Sequence, residues 1–174
     1  MKKLLLLLLP ILFTACQSKS YYNAMNTNEQ RFDGWQEENA VFLVETNDKI
    51  QLLIDLSELA QKDATLKSTF QIAEQMETSM DDLQTFYGIE ATIHRIKLAS
   101  ALSEESDKIL QKLESVSDDN FDDVYLRYIN SEIKELDLRV KKYQDEGHNE
   151  RIRNLADRVK EALEDLKEKN QSIS

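Results

Sequence analysis

The clearest pattern along the chain is a stripe of apolar side chains between Phe121 and Tyr143. Its members alternate spacings of three and four residues, which places them on one face of an α-helix. A helix with such a stripe cannot bury it alone, so other helices must supply the surface that covers it. We therefore predict that this helix organises a bundle. The stripe consists of Leu126, Ile129, Ile133, Leu136, Val140 and Tyr143.

Three further segments show helical periodicity and are predicted to pack against this helix. The first runs from about Glu37 to Gln61, although its middle, from Glu45 to Lys49, is polar. The second follows Asp63 and Thr65, either of which can cap it, and we expect it to end at Gly88. The last begins after the helix of the apolar stripe and repeats the same alternation of threes and fours.

The remaining boundaries come from a glycine and from capping residues. Gly147 ends the helix of the apolar stripe, and Asn149 begins the last helix. Before the stripe, a short helical piece from Ile89 to Leu102 and another opening at Ser103 form a crossover. With only three Gly and one Pro in the chain, the pattern predicts an all-α, up-down-up-down four-helix bundle with a short helical crossover between its second and third helices.

The N-terminal residues 1–15 have the features of a signal peptide. A basic start precedes an apolar run from Leu4 to Phe13 that is too short to span a bilayer. The tetrapeptide from Phe13 to Cys16 resembles a bacterial lipobox. This resemblance implies cleavage before Cys16 and attachment of lipid to its sulfur and to the new amino group, and several acyl chains would make a stable anchor.

These features predict how the chain is divided. Gln17 to Asn28 is rich in Ser, Asn, Gln and Thr and lacks an apolar period, which is typical of a flexible tether. Gln17 stands where the enterobacterial sorting rule would need Asp for inner-membrane retention, so we expect an outer-membrane anchor with the bundle in the periplasm. The predicted segments are the signal peptide (1–15), lipidated Cys16 with its tether (16–32), the bundle domain (33–170) and a tail (171–174).

Charge and aromatic content bear on the partners. The formal net charge is -11 although the leader contributes two lysines, which argues against nucleic acid as a partner and is typical of a well-solvated surface. The single cysteine, Cys16, is consumed by lipidation, so we expect no intramolecular disulfide. Tyr21, Tyr22 and Trp35 could contact lipid headgroups or pack against the bundle.

One acidic segment begins like a calcium-binding loop. Asp118, Asn120 and Asp122 have the spacing of its first ligands. The sixth position is Asp123 where the loop needs Gly, and the twelfth is Ile129 where it needs Glu. We interpret the segment as the capped and acidic start of a helix rather than as a calcium site.

Other candidate chemistry is sparse along the chain. His94 follows Glu90 by four residues, which favours an exposed pair on a helix, and His148 is expected to be solvated in a turn. Met76 and Met80 fall on the apolar seam, so we interpret them as core residues rather than as a soft-metal site. We expect no enzymatic activity, no metal and no cofactor besides the covalent lipid.

Several short blocks have the joint spacing of a known family. These blocks are Phe42-Leu43, Leu56-Ser57-x-Leu59-Ala60, Met76, Phe121-Asp122-x-x-Tyr125-Leu126 and Leu155-Ala156. In them the chain resembles a ferritin-like family of bacterial envelope proteins, a domain-of-unknown-function family often labelled as outer-membrane proteins. The resemblance covers about Phe42 to Leu83 and Phe121 to Leu166, whereas residues 84–120 depart from the pattern.

The resemblance implies what has happened to a metal site. Members of that family typically carry an acid in the first helix and one histidine in each of the other three, which together would form an interior metal site. The resemblance therefore implies that this chain has lost the ligands and packs apolar side chains in their place. The corresponding positions here are Leu53, Met80, Ile133 and Leu166.

Three hypotheses about function follow. The first is a non-enzymatic, lipid-anchored bundle that acts through its surface on an envelope protein partner. The second is a carrier of an apolar ligand or lipid that uses the Met-rich centre. The third is a ferritin-like metal or redox protein with a relocated site, whose ligands would come from Glu58, Glu77, Glu132 and His94.

Overall fold

The computed structural model describes the backbone of residues 19–173 and the side chains of residues 19–168. Within that range the regular secondary structure consists of six α-helices and no strand, which confirms the all-α class. The predicted signal peptide and Cys16 lie outside the described residues. The helices are α1 (residues 19–29), α2 (Gly34–Asp63), α3 (Lys67–Ile93), α4 (Glu104–Glu114), α5 (Asp118–Glu146) and α6 (Glu150–Ile173).

The four long helices contact one another in a closed order. α2 packs on α3 and on α5, and α6 packs on the same two helices. The short α4 lies between α3 and α5 along the chain, where the crossover was predicted, and it packs against α2 and α5. A continuous cluster of buried apolar side chains from all six helices forms the core.

The apolar stripe of α5 is buried as predicted. Ile129, Ile133, Leu136, Val140 and Tyr143 are all buried, whereas Leu126 is only partly so. The buried seam also begins earlier than predicted, because Phe121 and Tyr125 precede it at the same helical spacing. The stripe therefore extends back to the first turn of α5.

The cap of α3 comes from another helix, which corrects the prediction that Asp63 or Thr65 would supply it. The Asp122 carboxylate of α5 accepts from the backbone N–H groups of Thr65 at 3.1 Å and of Leu66 at 3.2 Å. It also accepts from the Thr65 hydroxyl at 2.5 Å. Burial raises the pKa of Asp122, but the hydrogen bonds from Thr65 and Leu66 lower it by more, so the net shift is downward.

Gly88 does not end α3, which continues to Ile93. The predicted helical piece from Ile89 to Leu102 is also wrong, because its first residues complete α3 and the rest form a short turn followed by an irregular segment. The stop is a residue in the left-handed conformation, Arg95, with φ 57°. The N–H of Ile96 donates to the carbonyl oxygen of Ala91 at 2.8 Å, and that of Arg95 donates to Thr92 at 3.1 Å. These two bonds define a Schellman motif, which normally uses glycine.

Three other predicted helix boundaries are confirmed. The Ser103 hydroxyl accepts from the N–H of Ser106 at 3.2 Å and caps α4. Gly147 is the C-cap of α5. The Asn149 side chain accepts from the N–H of Ile152 at 3.3 Å, next to the first residue of α6.

Of the predicted tether, residues 16–32, the structure describes residues 19–32, and these are mostly helical rather than flexible. Ala24 of α1 is fully buried, and Asn28 is 3% exposed. The Asn28 amide donates to the carbonyl oxygen of Lys97 at 2.8 Å and accepts from the N–H of Lys97 at 2.9 Å. The polar composition was misleading because polar side chains in a tether make hydrogen bonds to water. Here they make tertiary hydrogen bonds within the protein instead.

The three aromatic residues near the start of the chain have different surroundings. Tyr21 packs against the core, whereas Tyr22 and Trp35 are mainly exposed. Among the helices of residues 19–173, none combines the length and the apolar character that a membrane crossing requires.

Gly147 permits a close approach of the Tyr143 ring. A Cβ at position 147 would lie 2.5 Å from Cε1 and 2.5 Å from the carbonyl oxygen of Tyr143. The ring stacks on Phe42 with centroids 4.0 Å apart, and its hydroxyl donates to Asn39 Oδ1. A side chain at position 147 would therefore displace contacts between α2 and α5.

We predict that Gly147→Ala destabilises the protein by about 1–3 kcal/mol, because the new methyl group forces the Tyr143 ring to move. Gly88→Ala is the matched control, since no atom lies within 4 Å of a Cβ at that position in α3. This control should stabilise the protein by about 0.5–1 kcal/mol. Urea unfolding followed by circular dichroism measures both, and equal effects of the two substitutions would contradict the steric argument.

Candidate functional site

The four positions implied by the resemblance lie inside the core on four different helices. Leu53, Met80, Ile133 and Leu166 are all buried and belong to the same apolar cluster. Met76, which was predicted to fill the core, is fully buried as well. Their side chains contribute packing at these positions and offer no oxygen or nitrogen ligand.

The core is interrupted by a charged cluster between α2 and α5. Lys49 Nζ lies 2.6 Å from Glu132 Oε2 and 3.0 Å from Glu135 Oε2. The side chains of Lys49 and Glu132 are only 8% and 4% exposed, whereas that of Glu135 is 50% exposed. We call these three residues the Lys49 cluster. A cation and a carboxylate withdrawn from water in this way must be paired to be tolerated.

Burial and charge act against each other within the Lys49 cluster. Burial lowers the pKa of Lys49, but the hydrogen bonds and charges of Glu132 and Glu135 outweigh it and raise the pKa overall. Burial raises the pKa of Glu132 and outweighs the opposing influence of Lys49. The ammonium is therefore held by two carboxylates, and Glu132 depends on that ammonium to remain ionised inside the fold.

A polar cleft of about 360 Å³ adjoins the Lys49 cluster. It lies between the start of α1, the middle of α2, the start of α4 and Arg139 of α5. Arg139 is paired with Glu45 across the cleft, and burial lowers the pKa of Arg139. Burial, followed by the charge of Asp48, raises the pKa of Tyr21. Shifted ionisable groups beside a cleft are features of many functional sites and also of structural ion-pair networks.

Asp48, next to Lys49, has a structural role. One carboxylate oxygen accepts from the N–H of Ser103 at 2.6 Å, and the other accepts from the hydroxyls of Ser103 at 2.8 Å and Ser106 at 2.7 Å. Its charge lies at the start of α4, where the helix dipole favours an anion. Asp48 thus fixes α4 onto α2, just as Asp122 of α5 fixes the start of α3.

The alternative metal ligands do not come together. Glu58 is exposed, Glu77 accepts from Gln61, and Glu132 is occupied by Lys49. His94 is partly buried beside Glu90, with 3.6 Å between Nε2 and Oε2. Within the described residues, no group of three or more His, Cys, Asp or Glu side chains could hold a metal ion.

The pair of Glu90 and His94 differs from the exposed pair that was predicted. Glu90 accepts from Arg151 of α6 at 2.8 and 3.1 Å, so its main partner is a guanidinium and not the imidazole. His148 is exposed, as predicted.

A cleft between two long helices lies away from the Met-rich centre. It measures about 650 Å³ and separates the N-terminal half of α2 from the C-terminal end of α5. Val41, Phe42 and Tyr143 contribute apolar surface to it, and charged side chains such as Glu37 and Lys142 line it too. Because Met76 and Met80 are not among its lining residues, this cleft does not support the idea of a carrier that uses the methionines.

A second notable feature is on the surface of α3. Phe86, Ile89 and Ile93 are 38%, 50% and 50% exposed. Their spacing of three and four residues places them on one face, which we call the α3 stripe. Arg158 of α6 lies over the Phe86 ring, 4.6 Å from its centroid, so the stripe runs beside the contact between α3 and α6.

The sequence contains a signal for the Lys49 cluster that the predictions did not use. Phe42, Thr46, Lys49, Leu53 and Leu56 alternate spacings of four and three, so Lys49 occupies a seam position. Glu132 likewise lies three residues after Ile129 on the seam of α5. A lysine and a glutamate at core positions of two partner helices indicate a buried ion pair.

Taken together, the fold and these sites define an all-helical protein in which the buried charged side chains of the described residues are paired or hydrogen-bonded within the molecule. A family model for the Domain of unknown function (DUF4142) matches residues 24–173, and the chain belongs to this family. The match begins within α1 and includes residues 84–120, which the resemblance had left out. No curated protein and no solved structure matches the chain.

We predict that Lys49→Met destabilises the protein by about 3–5 kcal/mol, because Glu132 would remain buried without its cation. The double variant Lys49→Met/Glu132→Leu should recover most of this loss, since it removes both charges. Lys108→Met is the control, because the pair of Lys108 and Glu104 is exposed and should contribute little. Denaturant unfolding at pH 7 measures all three variants.

The pH dependence adds a second test of the same variant. Without Lys49, burial and the negative charges of Glu135 and Glu105 act on Glu132 unopposed, so its pKa should rise further above the ordinary value. A carboxyl group with a raised pKa in the folded state destabilises the fold as the pH rises above the unfolded pKa. The deficit of Lys49→Met should therefore shrink as the pH is lowered toward about 4.5, and a deficit that is constant with pH would contradict this origin.

Proposed function

We propose that this protein is a non-enzymatic, lipid-anchored helical bundle of the bacterial outer membrane that acts through protein interaction. Its bundle would have the ferritin-like up-down-up-down topology and would lie in the periplasm. The order of contacts, in which α2 and α6 each pack on both α3 and α5, supports this topology.

The observation that carries the proposal is that the buried charged side chains are bonded within the molecule while apolar groups are left on the surface. Lys49 is paired with Glu132, and the buried Asp48 and Asp122 cap neighbouring helices. By contrast, Ile89 and Ile93 of the α3 stripe are half exposed. Apolar side chains at such spacing are typical of surfaces that receive a partner helix.

The anchor is supported by the leader pattern together with the fold. Cys16 follows an apolar run and the small residues Thr14 and Ala15. The domain matched by the family model begins at residue 24, a few residues after this cysteine. A lipid on Cys16 would therefore hold the bundle close to the membrane, since the intervening residues span at most about 30 Å when extended.

We predict that Cys16→Ser prevents lipid attachment and releases the protein from the membrane or leaves it unprocessed. The hydroxyl group cannot replace the thiol that forms the thioether to the lipid. Metabolic labelling with a fatty acid and fractionation of the envelope measure the result. Ser18→Ala is the matched control and should leave both processing and fractionation unchanged. Labelling and membrane attachment that persist in Cys16→Ser would refute the anchor.

The surface role has a separate test in intact cells. A photoreactive amino acid at Ile89 should form adducts with envelope protein, because this side chain lies in the centre of the α3 stripe. The same amino acid at Leu138, which is 60% exposed on α5, is the control. If the two positions gave the same adducts, or if neither gave any, the stripe would not be an interaction surface.

A further inference from the structure

The α3 stripe has charges of opposite sign at its two ends. Asp82 is exposed one turn before Phe86 and lies on the same face of the helix. Arg95 is exposed just beyond Ile93, where the left-handed turn ends α3. Neither Asp82 nor Arg95 takes part in the ion pairs found within the described part of the chain.

Two arginines of the neighbouring helix that lie beside the stripe are already engaged. Arg151 of α6 is bound to Glu90, and Arg158 lies over the Phe86 ring. The stripe therefore presents an apolar centre with a free acid at one end and a free base at the other. This pattern is complementary to a copy of itself that runs in the opposite direction.

We propose that two copies of this chain associate through their α3 stripes, with the two helices antiparallel about a two-fold axis. The proposal rests on the proposed surface function and names the partner for it. With the axis between Ile89 and Glu90, Phe86 packs against Ile93 of the partner subunit. Asp82 then faces Arg95 of the partner subunit, and the symmetry makes this ion pair twice.

Helix geometry supports this register. From a centre between Ile89 and Glu90, Asp82 lies about 11 Å along the helix in one direction, and Ile93, the last residue of α3, about 5 Å in the other. The two-fold axis therefore places each Asp82 about 6 Å beyond the end of the partner's α3, on the side of the turn that carries Arg95 of the partner subunit. A parallel arrangement would instead bring the two Asp82 carboxylates together, and like charges at that distance repel.

The size of the stripe predicts a weak dimer. Three partly exposed side chains per copy bury much less than the roughly 800 Å² per partner of a standard stable interface. Lipid anchoring would raise the effective concentration of the two copies, because both would be held at the same height above one membrane. The dimer should therefore be most evident in the membrane-anchored full chain.

The test uses this full chain in its membrane. Because Cys16 carries lipid, Ile89→Cys introduces a single free thiol near the proposed axis, and a short bis-maleimide should link two copies. Leu138→Cys is the matched control, since Leu138 is 60% exposed on another helix. Equal linking at positions 89 and 138, or no product of twice the mass at position 89, would overturn the proposal.

Exchanging the charges at positions 82 and 95 distinguishes this dimer from other causes of cross-linking. In the Ile89→Cys background, Asp82→Arg or Arg95→Asp alone places like charges together and should lower the linked fraction about fivefold. The two substitutions combined restore opposite charges and should restore linking. Asp tolerates the left-handed conformation at position 95, so the turn should persist. If each single substitution lowered the linked fraction and the double variant did not restore it, the proposed register would be refuted.

The outcomes also distinguish this proposal from the proposed function. If no dimer is linked but position 89 still forms adducts with a different envelope protein, self-association is wrong and the surface role stands. If the dimer forms but Cys16→Ser remains attached to the membrane, the anchor is wrong and the dimer stands.

Discussion

The structure depends on the pairing of a buried ammonium with buried carboxylate between two helices. Lys49 of α2 can occupy a core position only because Glu132 and Glu135 of α5 lie within 3.0 Å of it. This requirement fixes how α2 and α5 align along their axes, since a shift of one turn would leave charges buried without partners. Apolar packing alone specifies alignment less strictly, because one leucine can replace another in a seam.

Two aspartates extend the same principle from the core to the helix ends. Asp48 binds the start of α4 and Asp122 binds the start of α3. In both cases a side chain of one long helix satisfies backbone N–H groups that another helix leaves free. The positions of α3 and α4 are therefore coupled to the alignment of α2 and α5, and the polar contacts that could have formed an open site are used to assemble the fold.

The sequence predicted those parts of the fold that depend on local periodicity. The buried stripe of α5, the cap at Ser103 and the end at Gly147 all follow from residues close together in the chain. Prediction from the sequence failed where the residue that determines the local structure is distant in the chain. Examples are Asp122 at the start of α3 and Lys97 beside Asn28 of α1. Gly88 misled for another reason, since glycine weakens a helix by only about 1 kcal/mol and buried neighbours such as Tyr87 and Ala91 outweigh that cost.

The candidate sites were predictable to different degrees, because some depend on local periodicity and others on contacts between distant residues. The burial of Leu53, Met80, Ile133 and Leu166 agrees with their places on apolar seams, so sequence alone sufficed for them. The α3 stripe required the structure, because the spacing that places Met76 and Met80 on the buried seam does not show that Phe86, Ile89 and Ile93 form a second apolar face that is left exposed. Interior positions that carry only apolar side chains offer few ways to recognise a ligand chemically, whereas an exposed face with opposite charges at its ends has direction and register. We therefore propose that recognition by this protein takes place where α3 is left uncovered.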